Sequence, residues 1–180
     1  MNKKKIRNYQ IFSVIFTFIL GGLLHFTYKW SGGNTFFAIF SSVNESMWEH
    51  LKLLFFPMLI ITIIGYYYIG KNIPNFLCSK TIGIITAMIF MITFFYTYSG
   101  IIGKNIPVID ITTFFIATVL GELIAYLLII NNFKCDKNIS IIILLIILFS
   151  FVLFTFDTPK LGIFKDPVTE QYGIIKKSEN

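Results

Sequence analysis

Asn44, Glu45, Ser46, Trp48, Glu49 and His50 crowd into the segment SSVNESMWEHLKLLFFP, residues 41–57, within an otherwise apolar stretch of chain. On a helix, Glu45 and Glu49 stand four residues apart and share a face, with His50 beside it. His25, near the end of the preceding apolar run, offers a second imidazole. Two imidazoles and one or two carboxylates suit a zinc-type divalent cation with an open position for an activated water. This reading makes His25, Glu45 and His50 the metal ligands and Glu49 and His50 the catalytic pair. The spacing E-x-x-x-E-H is not the established H-E-x-x-H, in which both histidines sit one turn apart. The non-catalytic alternative has Asn44 and Glu45 capping a helix, Trp48 anchoring among lipid headgroups, and His50 and Lys52 in solvent. Ser46 is poorly aimed as a nucleophile, because its base would lie on the same helix turn.

The elements that carry these residues are membrane spans. The chain has 180 residues, 56% hydrophobic and 13% charged, with a mean hydropathy of +0.76. Soluble domains are less apolar and about 25% charged. The excess comes in blocks long enough to cross a bilayer. We expect an all-α integral membrane helical bundle forming a single domain over residues 1–180. Its five transmembrane helices fall near 9–30, 51–69, 81–98, 108–130 and 139–156. Residues 34–43 are too short to span and read as an interfacial or re-entrant piece before the second span. Ser42 with Glu45 fits a capping box, Asn44 is an equally good N-cap, and Pro57 is expected to kink the second span. The first span has no small-residue cleavage signature and ends in Tyr28 and Trp30, so it reads as a helix rather than a signal peptide.

Five crossings place the termini on opposite sides. Lys3, Lys4, Lys5, Arg7, Lys71, Lys80, Lys134 and Lys137 gather at one face, which the positive-inside rule puts in the cytoplasm. The polar tail, residues 157–180, then lies outside. The biased composition, rich in Ile, Phe, Asn and Lys, points to a bacterial cytoplasmic (plasma) membrane. The net charge of +6 follows from this topology, with the lipid bilayer as partner, no nucleic acid, and no protein partner identified. Cys78 and Cys135 have no metal spacing and read as free reduced thiols in cytoplasmic loops. Alternation of the spans brings His25, the 44–50 cluster, Tyr96, Tyr98, Asp110 and the tail to one face. Ionisable groups are costly near a bilayer, so their gathering marks a site. Asn44, Glu45, Trp48, Asp110, Asp166 and Tyr172 are its candidate binding residues. Two other functions stay open. Glu122, inside the fourth span, is either a proton or cation relay of a small transporter or a carboxyl bonded to a neighbouring Thr or Tyr. Residues 166–173 read as a turn that acts as a lid or partner-docking element over the outer face.

NESMWEH in the second segment and LGIFKDPVTEQYGI in the tail carry a resemblance. From His25 to the Tyr172–Gly173 pair the chain resembles small bacterial membrane proteins grouped as domain-of-unknown-function family 6512. The resemblance implies the multi-pass architecture and no particular activity. It also implies a tail histidine ahead of the F-x-D-P element. Here Pro159, Lys160 and Leu161 occupy that stretch, so the resemblance supplies no tail metal ligand.

Overall fold

Five long helices joined by short connections make up the chain, and the computed structural model describes residues 2–174. They are α1 (Lys3–Trp30), α3 (Met47–Tyr68), α4 (Phe76–Ile102), α5 (Pro107–Ile130) and α6 (Lys137–Phe156), with a one-turn helix α2 (Thr35–Ala38) between the first two. Each of the five is long and apolar enough to cross a membrane. Even α6, the shortest at 20 residues, rises about 30 Å, the thickness of a hydrocarbon core. Ile142, Leu145, Ile146 and Phe149 of α6 point outward and exposed, as a lipid-facing surface requires. Among the described residues there is no strand, and Lys165 and Tyr172 form one isolated antiparallel bridge.

Small residues set the closest approaches. Gly83 of α4 and Gly121 of α5 lie back to back, and a Cβ at Gly121 would come within 2.6 Å of the Gly83 carbonyl. Buried Ala87 and Ala125 extend this seam. Close backbone contact of this kind is how helices associate where no water drives them together. Pro57 lies inside α3 and has no N–H to give the Leu53 carbonyl. That carbonyl turns toward Gly21 of α1, where a Cβ would sit only 2.7 Å from its oxygen. At the other end of the same helix pair, Tyr9 Oη donates to the Ile61 carbonyl at 2.8 Å.

Three expectations need correction. First, α4 starts at Phe76 rather than 81, which carries Lys80 out of the loop and into the bundle. Lys80 is fully buried, and its Nζ lies 2.5 Å from Glu122 Oε2 and 2.6 Å from Oε1. The Gln10 amide turns its nitrogen toward Glu122. Glu122 is thus held by a lysine, not by the Thr or Tyr expected; a buried charge persists only when paired. Second, Lys52 is not in solvent but has 0% exposure. Its three protons are taken by Glu49 at 2.5 Å, the Ala38 carbonyl at 2.8 Å and Thr155 Oγ1 at 3.0 Å, which ties α2, α3 and α6 together. Third, Cys78 and Cys135 are joined by a disulfide linking α4 to the α5–α6 connection; they are not separate thiols.

Candidate metal centre

The site is assembled where α1 ends, α3 begins, and the segment between them folds back. That segment is tied down by its own serines. Ser41 Oγ donates to the Leu24 carbonyl and accepts from the Tyr28 N–H at 2.9 Å. Asn44 Oδ1 accepts from Ser46 N–H at 2.8 Å, a local turn that places Ser46 as the N-cap of α3. Ser46 Oγ then accepts from Glu49 N–H at 3.4 Å. The capping residue is therefore Ser46, not Ser42 or Asn44. The S-x-x-E pattern that marks it runs from Ser46 to Glu49.

This frame presents three side chains to one point. His25 Nε2 lies 3.9 Å from Glu45 Oε1, and His50 Nε2 lies 3.6 Å from Glu45 Oε2. One donor atom from each of the three falls within 4.8 Å of the others. Donors around a tetrahedral zinc at about 2.0 Å are about 3.3 Å apart, so binding would draw the three side chains inward, Glu45 among them with its side chain 50% exposed.

The tautomers favour ligation. His50 Nδ1 is 2.9 Å from the Ser46 carbonyl. A carbonyl only accepts, so Nδ1 carries a proton, and in the neutral ring Nε2 keeps its lone pair. His25 Nδ1 is 3.4 Å from Ser42 Oγ, and the Ser42 hydroxyl spends its own proton on the His25 carbonyl at 3.2 Å. Ser42 Oγ is left to accept from Nδ1–H, so His25 Nε2 also faces the centre bare. A second partner holding the far nitrogen is the usual companion of a metal-bound imidazole.

The other candidate residues have definite places. Glu49 is not brought to the centre: it is 3% exposed, paired with Lys52, and accepts from Val43 N–H at 2.9 Å. Asp110 lines the same cavity as the three ligands, and Tyr98 Oη donates to its carboxylate. Asp166 is buried, accepting from Glu45 N–H at 3.3 Å with one oxygen and from Val168 N–H at 2.7 Å with the other. Asn44 Nδ2 donates to the Gly173 carbonyl at 2.9 Å. The tail is thereby folded onto the ligand-bearing turn. The Trp48 ring packs on Phe151 and Phe164 at 4.7 and 4.8 Å. Tyr172 pairs with Lys165 through the backbone and lies outside the cavity lining.

The family model described as "Family of unknown function (DUF6512)" matches residues 1–174. The chain belongs to this family. The resemblance carried by NESMWEH and the tail motif is thus borne out over nearly the whole DUF6512 chain. No curated protein and no solved structure matches it. Sequence reasoning missed Lys52 and Lys80 as partners of Glu49 and Glu122. For Lys52 the signal was its i+3 spacing from Glu49; for Lys80, paired with a residue 42 positions away, no local signal exists. It also missed Ser42 as the hydroxyl behind His25, a relation that only the fold creates.

Proposed function

We propose that this DUF6512 protein is a metal-dependent hydrolase whose centre lies at the membrane boundary. One observation carries the reading: two imidazoles, each with its far nitrogen already held, turn Nε2 toward one carboxylate. A zinc-type cation held by His25, Glu45 and His50 would keep its fourth position for water and would supply an activated water for hydrolysis of an acyl ester or amide, in which the acyl carbon's bond to oxygen or nitrogen breaks and the water's proton ends on the leaving group. Asp110, on the wall of the same cavity, is the carboxylate available to pass that proton.

The basic end of the bundle, where α1 begins, faces the cytoplasm of a bacterial cell in this proposal, and the metal centre faces outward across the plasma membrane. With Lys80 removed from the count as a buried ion-pair partner, Lys3, Lys4, Lys5, Arg7, Lys71, Lys134 and Lys137 still support that orientation. Against it stands the disulfide at the basic end, since disulfides persist mainly in oxidising compartments. The charge bias comes from three separate segments and the disulfide from one pair, so we keep the charge rule. The hydrolase reading is tested with the zinc-loaded full chain and a chromogenic acyl ester. Turnover in the wild type that vanishes in His50→Ala supports it; equal rates in the two proteins refute it.

A further inference from the structure

The metal centre sits at one end of a cavity of about 590 Å³ enclosed by α1, α3, α4 and α5, the usual size of a small-molecule site. Its polar groups cluster at the mouth: His25, His50, Glu45, Asp110 and Asn105. The far wall is made of Phe18, Leu53, Met91 and Phe114. Along α1 the seven residues from His25 back to Phe18 give a depth of roughly 10 Å. Gly22 also lines the cavity and is itself exposed, and an added Cβ there would meet nothing within 4 Å. The rim residues Phe26 and Ile111 are themselves exposed, at 47% and 59%, so the opening faces the surface that lipid would cover. No Lys or Arg lines the cavity, and Asp110 does. Val168 and Pro167 close the mouth from the tail side.

We infer that this cavity holds one acyl chain of an amphiphile, with its ester or amide carbonyl at the metal. The inference rests on the metal reading above and adds the substrate class. Apolar walls select the chain.

The test uses full-length protein in phosphatidylcholine nanodiscs, loaded with cobalt(II), whose visible spectrum reports coordination of a hydroxamate head. Octanohydroxamate and acetohydroxamate are titrated into the wild type, Gly22→Leu and Gly22→Ala. Partition of the octyl chain into the bilayer is common to all three proteins and cancels. We expect the preference for the octyl over the acetyl head to fall about tenfold in Gly22→Leu, the scale of overpacking a filled site, and by a smaller factor in Gly22→Ala. Acetohydroxamate affinity and cobalt content should be unchanged. The alanine variant adds a methyl group to empty space, so it keeps the comparison interpretable where leucine disturbs folding. Cobalt bound normally with the same preference in all three proteins overturns the chain-binding inference alone. No cobalt spectrum in the wild type overturns the metal reading and this inference together.

Discussion

Ser42 and Ser46 matter to the centre although neither is a ligand. Each fixes the tautomer of one histidine, Ser42 through its hydroxyl and Ser46 through its carbonyl. Ser42→Ala should lower zinc affinity about tenfold, the lower end of the effect expected for such partners, without lowering thermal stability in detergent. Unchanged affinity by competition with a chelator would show that the Ser42 contact is incidental. Metal should also be lost progressively on acidification, because imidazole ligates only in its neutral form. Lys52 has a structural part instead. Lys52→Met leaves Glu49 buried without its cation and should cost about 3–5 kcal/mol. Glu49→Gln combined with Lys52→Met should cost clearly less than the two changes added, as read from denaturant unfolding in detergent; strict additivity would deny that the pair is coupled. His25, Glu45 and His50 were visible in the sequence as residue types with a shared chemistry. Glu49 looked equally eligible, although Lys52 three residues on marked it as the acid with a lysine one turn away.

The helices were legible because their apolar blocks are long, and their number and order follow from composition. Their starts were not. Lys80 looked like the end of a loop, yet Glu122 lets it enter α4, a pairing that depends on how α4 meets α5. That meeting is fixed by Gly83 and Gly121. Gly83→Leu should force the two backbones apart and lower the melting temperature markedly, while Gly100→Leu, at a position where a Cβ meets nothing within 4 Å, should change it little. Equal effects at both glycines would contradict the close-packed seam. The tail is an element of the site rather than a loose end. Asp166 binds the Glu45 backbone and its own turn together, so Asp166→Ala should weaken zinc binding and speed proteolysis within residues 158–174. Loss of neither would separate the tail from the centre.

Across the whole molecule, alternating crossings carry His25, the start of α3, Asp110 and the tail to one end, and Lys3, Lys4, Lys5, Arg7, Lys71, Lys134, Lys137 and the disulfide to the other. The convergence could be foreseen from the number of spans alone; the enclosing cavity could not, because it depends on side-chain volumes at Gly21, Gly22, Phe18 and Phe114. Orientation is tested by placing a cysteine at exposed Lys104 in a Cys78→Ser, Cys135→Ser background. A membrane-impermeant maleimide should label it in intact cells; labelling only after lysis would reverse the orientation. The most direct measurement is the metal content of the full chain purified in detergent after growth with added zinc. The wild type should hold one equivalent per chain and the His25→Ala, His50→Ala double variant almost none, with both equally folded. A folded wild type carrying no more metal than the double variant would contradict the proposed centre.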